Sequence, residues 1–228
     1  MKGVMTDSNH IHGRDVLIRA GRRALPGLLV VPARARSIVI FAHGSGSGRL
    51  SRRNSLVADA LNRAGLATLL FDLLSEEEAR QRQNTFDIPL LASRLRAATA
   101  WAHVGEETSS LAVGYFGAST GAAAALVAAS EERGITAVVS RGGRPDLARE
   151  FLPHVSAPTL LIVGGKDDDV LRVNQDALEA MHCTREIAVV SGASNLFEES
   201  GTLEQAAQLA TQWFSKYLIL PMEPSDVH

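Results

Sequence analysis

Cysteine is almost missing from this chain of 228 residues, where Cys183 stands alone. A lone cysteine excludes an intramolecular disulfide and fits a reducing compartment. Charge of one sign is not in excess either, with 23 basic residues against 25 acidic ones. With no basic run and no stripe of aromatics, nothing suits a nucleic-acid surface. No apolar run approaches the ~18 residues of a membrane span. Met1 to His12 is polar and lacks the apolar segment of a signal peptide. Neither a solenoid-type repeat nor a linker long enough to divide domains is present. These absences predict a soluble, cytoplasmic, single-domain protein with no membrane or nucleic-acid partner. Residues 1–13 carry no period and read as a loose lead-in, and Pro221 opens a second tail.

What the chain does have is a series of short apolar runs alternating with helical patterns. Val16–Arg19 and Leu28–Val31 read as two strands, set apart by Gly21 and Pro26 and stopped by Pro32, in an antiparallel start. Ile38–Ala42, Ala67–Asp72, Leu111–Phe116, Ala137–Ser140, Thr159–Val163 and Glu186–Val190 read as further strands. Several are apolar throughout, as strands covered on both faces are. Helices are predicted over Ser51–Arg63, Ile88–His103, Ala122–Ala129, Val170–Met181 and Leu203–Tyr217. Ser75-Glu76-Glu77-Glu78 looks like a helix start or an acidic exposed turn, with a solvated charge run the favoured reading. Strands alternating with helices define an α/β fold, a mostly parallel sheet with helices on both faces. In such sheets ligands bind beyond the carboxyl ends of the strands.

Four segments fall at those ends. The first is Gly117-Ala118-Ser119-Thr120-Gly121, between an apolar strand and a helix of small residues. It matches the G-x-S-x-G nucleophile elbow, in which a strained turn lifts a serine hydroxyl above the sheet. An ordinary turn rich in Gly and Ser can produce the same five residues, so the serine's partners matter. The second, His43-Gly44-Ser45-Gly46-Ser47-Gly48, lies where the elbow architecture puts an oxyanion donor. Gly44, Ser45 and Thr120 are the candidate oxyanion residues, with glycine letting backbone amides come close. A phosphate-binding P-loop fits less well, because Arg49 and Leu50 follow Gly48 where Lys and Ser/Thr belong.

The third segment is Gly164-Gly165-Lys166-Asp167, whose Asp167 holds the place of the acid in a Ser…Asp…His order. The competing role for the aspartates is to cap the next helix, which Asp168 or Asp169 would serve. Three contiguous aspartates lack the alternation of a calcium loop, so no metal or other cofactor is expected. The fourth is Arg141-Gly142-Gly143-Arg144-Pro145-Asp146. Its Arg141 and Arg144 are candidates to meet a carboxylate or phosphate of a substrate, as is His43 to contact one. A structural pairing with Asp146 is the other reading of these arginines.

A general base is wanting. The loop after the last strand reads Ser191-Gly192-Ala193-Ser194-Asn195-Leu196-Phe197-Glu198, without histidine. With these segments together, the chain resembles the α/β-hydrolase superfamily in its dienelactone-hydrolase-related branch, from about Val16 to Tyr217. The segments around His43, Leu70-Phe71-Asp72-Leu73-Leu74, the elbow, Ser140 to Asp146 and the Gly164 turn carry the likeness. The resemblance implies Ser119 as nucleophile and Asp167 as acid. It also implies a catalytic histidine directly before Leu-Phe-Glu-Glu, the place that Asn195 holds here. A carboxamide cannot take a proton near neutral pH. His103, His154 and His182 belong by topology to the opposite face of the sheet, and His43 is a loop-shaping residue in that family. Glu198 and Glu199 read as solvent-facing or loop-stabilising. The expectation is a carboxylic ester hydrolase for small soluble esters, crippled as written. Its rival is a ligand-binding or regulatory protein that kept fold and pocket.

Overall fold

The computed structural model describes residues 13–218. The two predicted tails, including His10 and His12 and the stretch from Pro221, lie outside the described residues apart from Gly13. Strands β1 (Arg14–Ala20), β2 (Arg23–Val30), β3 (Ser37–Ala42), β4 (Ala67–Phe71), β5 (Ala112–Ala118), β6 (Ile135–Arg141), β7 (Thr159–Gly164) and β8 (Arg185–Val190) form one sheet. Their order is β1-β2-β4-β3-β5-β6-β7-β8. The first three in that order pair antiparallel and the remaining pairs are parallel.

The helices are α1 (Arg52–Arg63), α2 (Glu76–Ala79), α3 (Ile88–Val104), α4 (Thr120–Glu131), α5 (Asp168–Ala180) and α6 (Thr202–Tyr217). The alternation of side chains along a strand sorts the core into two layers. Ile38, Ile40, Leu69, Tyr115 and Val138 face α3 and α4, against Leu91, Leu95 and the alanines of α4. Val39, Phe41, Leu70, Phe116 and Val139 face the other way, against Val57 and Leu61 of α1 and Trp213 and Phe214 of α6. Each such side chain, fully buried, contributes about 1.5–3 kcal/mol. Strands β3, β4 and β7 are buried at every residue. The continuous apolar runs seen in the sequence come from this double cover.

The structure corrects four readings of the sequence. Pro26 does not separate two strands; it lies within β2, paired with Leu17. It sits one residue before the β2–β4 ladder opens at Gly27 and Phe71, where no amide hydrogen is needed, while its carbonyl accepts from Asp72 N at 3.0 Å. The acidic run is not merely solvated. Ser75 and Glu78 form a capping box, and the mostly buried Glu78 pairs with Arg94 at 2.7 Å and Arg23 at 3.5 Å. β5 continues through Gly117 and Ala118 up to the serine itself. β6 continues through Arg141, which pairs with Ala118 on one side and Ile162 on the other. Arg141 is therefore a sheet residue and not a loop residue.

Helix α4 is buried all round from Thr120 to Ala129, the pattern of a helix sunk into a core. Alanine at most of its positions lets the axis approach the sheet, and glycine takes over where even a methyl is too large. A Cβ on Gly117 would stand 2.4 Å from Ala122 Cα. One on Gly121 would stand 2.1 Å from the Ala42 carbonyl oxygen and 2.5 Å from that of His43. Gly121→Ala should therefore lower stability by about 3 kcal/mol or more, since rigid backbone oxygens oppose the methyl. Gly134→Ala, with open space around the new Cβ, should leave the urea midpoint nearly unchanged. Urea unfolding of the two variants side by side checks this.

Candidate active site

Ser119 joins β5 to α4 with φ +52° and ψ −123°, a conformation that residues with a Cβ rarely adopt. Such strain costs about 1–3 kcal/mol and persists only where the surroundings enforce it. Here its carbonyl accepts from Ala122 N at 3.1 Å and Arg144 N at 3.2 Å, and its own amide donates to Arg141 O at 3.4 Å. The side chain makes no capping bond to α4, so the hydroxyl is left for other work. At the same place the first amides of α4, Thr120 included, lack intrahelical acceptors and carry the positive end of the helix dipole.

The His43 loop presses on this turn. A Cβ on Gly44 would fall 2.9 Å from Ser119 Cβ, so only glycine lets the loop come so near. Ser45 N donates to Thr120 Oγ1 at 3.2 Å. The structure thus brings Gly44, Ser45, Ser119 and Thr120 together, with the Ser45 amide held by the Thr120 hydroxyl. His43 is fixed from two sides: its Nε2 accepts from Leu73 N at 3.0 Å, and its Nδ1 faces Gly44 O, also at 3.0 Å. Accepting at Nε2 and donating at Nδ1 requires the neutral Nδ1–H tautomer. Burial lowers its pKa below the usual histidine value, against smaller opposing effects of Gly44 O and Asp72. It is a brace between the ends of β3 and β4.

The other loops interlock. Gly165 N donates to Val190 O and Lys166 N to Ala193 O, both at 2.9 Å. A Cβ on Gly164 would lie 2.3 Å from Ser194 O, and one on Gly142 would lie 2.4 Å from Asn195 O. The Asp167 turn, the end of β6 and the Asn195 loop are therefore packed backbone to backbone. Asn195 is solvent-exposed and lines a cleft of about 170 Å³ together with Ser119, Gly44, Ser45, Arg141, Gly142 and Leu196. Asp167 Oδ1 accepts from Val170 N at 3.0 Å, so this residue caps α5. The cap falls to Asp167 itself; Asp168 and Asp169 stand exposed in the first turn. Asp167 is not among the residues lining that cleft.

Glu199 holds the Asn195 loop in shape, accepting from Ser194 N at 2.9 Å and Ser194 Oγ at 3.2 Å. The Ser194 amide is the largest influence holding its carboxyl down at about 2. The two arginines part company. Arg144 forms a fork with Asp146 at 2.8 and 2.6 Å, is exposed, and has its pKa raised by that carboxylate. Arg141 lies buried in the wall of the Ser119 cleft.

Sequence reasoning missed the contribution of α1, whose first turn sends Arg53 and Asn54 into the same cleft. Their position at the carboxyl edge of β3 was the available signal. It also missed a larger cleft of about 530 Å³ beyond the oxyanion loop, lined by His43, Gly44, Ser45, Asp72, Leu74 and Thr120 among others. There Asp72 accepts from Arg49 N at 2.7 Å and pairs with the Arg49 guanidinium, which pins the loop's far end. At the sheet's opposite edge, His103 ends α3, while His154 and His182 precede β7 and β8, far along the strands from Ser119.

Strand order, elbow and loop placement define a class, and the chain belongs to it: the α/β hydrolase family, whose domain model matches residues 35–200. Among solved structures, a dienelactone hydrolase from Anabaena variabilis is 55% identical with a TM-score of 0.89, covering 91% of this chain and 98% of that one. Est1E from Butyrivibrio proteoclasticus shares the fold at TM-score 0.75 and 15% identity, over 89% of this chain and 98% of its own. A Mycobacterium tuberculosis protein, named as a proposed phosphoribosyl transferase, is 56% identical over 212 residues, 92% of this chain. The chain spans about half the length of that relative, 48%.

Two measurements follow from the site. Nitrogen-15 chemical shifts of the His43 ring should report the neutral Nδ1–H tautomer from pH 8 down to below ~6.5, the ordinary histidine value. Glu199, with a folded pKa below its unfolded one, supports its loop at neutral pH. That support should fade as pH falls from the usual 4.5 towards about 2. Glu199→Gln should remove it at all pH values, read as faster hydrogen exchange of the Ser194 amide.

Proposed function

We propose that this chain is a serine-dependent carboxylic ester hydrolase of the dienelactone-hydrolase-like type, acting on small esters and severely impaired by Asn195. The observation that carries the proposal is the left-handed backbone of Ser119. It is held at the start of α4 with Gly44 packed against it and Asn195 on the same cleft wall. Strain of this kind is kept where it serves a hydroxyl's presentation. Ser119 Oγ would attack the ester carbonyl, and the developing oxyanion would meet the Thr120 amide, joined by the Ser45 amide once it leaves Thr120 Oγ1. Asp167 would orient and stabilise a base at position 195. The ester would lie across the oxyanion loop, with room for its larger part in the 530 Å³ cleft.

Asn195 has no basic nitrogen, so the proton of Ser119 has nowhere to go but water. In a serine hydrolase, losing the histidine costs up to about 10⁶ in turnover, while oxyanion contacts and binding retain about 10³ over water. A second reading rests on the same residue: a ligand-binding or regulatory protein that kept the pocket. The phosphoribosyl-transferase name belongs to a relative about twice this chain's length, and the elbow supports hydrolysis instead. Balanced charge and the lone half-buried thiol of Cys183 support a small-molecule partner in a cytoplasmic setting.

Asn195→His should raise turnover of p-nitrophenyl acetate by several orders of magnitude. The gain should grow as pH rises through ~6.5, where a histidine loses its proton. Adding Ser119→Ala should abolish the gain, because nucleophile and base act as a unit. A folded Asn195→His variant with no gain, whose Ser119 also resists a fluorophosphonate, would decide for the binding protein.

A further inference from the structure

The Ser119 cleft contains a cation that the proposed acyl chemistry does not use. Arg141 is only 6% exposed, and its Nε and Nη1 are buried without a hydrogen-bond partner among the described residues. Arginine is almost never buried unless paired, because removing a guanidinium from water is costly. Nearby acids are already engaged: Asp146 holds Arg144, and Glu198 holds Arg53 at 3.0 Å. Arg53 itself adds like charge close to Arg141. Burial first, and this repulsion second, lower the Arg141 pKa to about 10, which still leaves it charged at neutral pH. The ring of Phe197, with its centroid 5.7 Å from the guanidinium carbon, offsets only part of that cost. On the same wall Asn54 is 3% exposed with Oδ1 unpartnered.

We infer that Arg141, with Arg53 and Asn54 beside it, is an anion site for a carboxylate or phosphate group carried by the ligand that docks over Ser119. A guanidinium edge meets either group with two parallel hydrogen bonds. The Asn54 carboxamide brings both a donor and an acceptor to the same space. Because Arg141 is the last residue of β6, paired on both sides, its position is set by the sheet. The cleft of about 170 Å³ holds an anionic head and a short spacer, so the acidic group sits a few bonds from the carbonyl. As a statement about substrate, this rests on the hydrolase reading; as a statement about binding, it does not.

The test begins with the unaltered chain titrated with inorganic phosphate and, separately, with succinate, by calorimetry. Saturable binding of either is expected in the millimolar range, and the one preferred names the group. Arg141→Met should weaken it at least tenfold, and Arg141→Lys should weaken it less. Removing an unpaired buried charge should leave the Arg141→Met melting temperature level or raise it. Binding of neither anion, or equal binding by Arg141→Met, would overturn the site, and a lowered melting temperature with unchanged binding would mark Arg141 as a structural prop. In the Asn195→His background, p-nitrophenyl hemisuccinate should be preferred over p-nitrophenyl butyrate through KM. Arg141→Met should shrink that preference about tenfold. Anion binding without any turnover would sink the hydrolase reading and leave the site standing; turnover without anion binding would do the reverse.

Discussion

Everything at the carboxyl edge of the sheet depends on how closely α4 lies against β3 and β5. Gly121 leaves no room for a methyl between the helix and the carbonyls of Ala42 and His43, and Gly117 leaves none against Ala122. With both contacts closed, the chain between them has one way to turn, and Ser119 takes the left-handed conformation that this turn demands. The strain is not paid locally. It is offset by the burial of an alanine-rich helix and two apolar layers, each worth far more than the turn costs.

Around that turn, three loops are joined to one another through backbone contacts, and the Glu199 carboxylate braces the Asn195 loop besides. Gly142 lies on the Asn195 carbonyl, Gly164 on Ser194, and Lys166 N donates to Ala193 O. Backbone contacts fix loop positions whatever side chains the loops carry. Loop side chains can vary on a fixed frame of this kind, which is how function is grafted on a common scaffold.

The electrostatics of the cleft are also divided by backbone position. His43 is tied to Leu73 N and Gly44 O and stays neutral, so the one histidine at this edge among the described residues acts as a brace. Arg144 leaves the sheet and finds Asp146; Arg141 remains in the sheet, without an acidic partner among the described residues. Three residues apart in sequence, the two arginines meet opposite circumstances because one of them is still part of a strand.

By itself the sequence determined the α/β class, the strands and helices to within a residue or two apart from the start of β2 and the short α2, and the four segments that meet above the sheet. Continuous apolar runs, glycine-serine turns and their order suffice for that, because they are local patterns. It also carried the absence of histidine before Leu196. Local patterns could not distinguish Pro26 within a strand from Pro26 between strands, since the difference lies in where the β4 partner ends. Nor could they tell that Glu78 is buried by Arg94, that Asp167 itself caps α5, or that Arg53 and Asn54 reach the cleft. Whether Arg141 or Arg144 would be neutralised was likewise open, because both have Asp146 nearby in sequence. Only the tertiary structure decided it: pairing with Ala118 and Ile162 holds Arg141 inside the sheet, and a side chain anchored there cannot follow its neighbour out to the carboxylate.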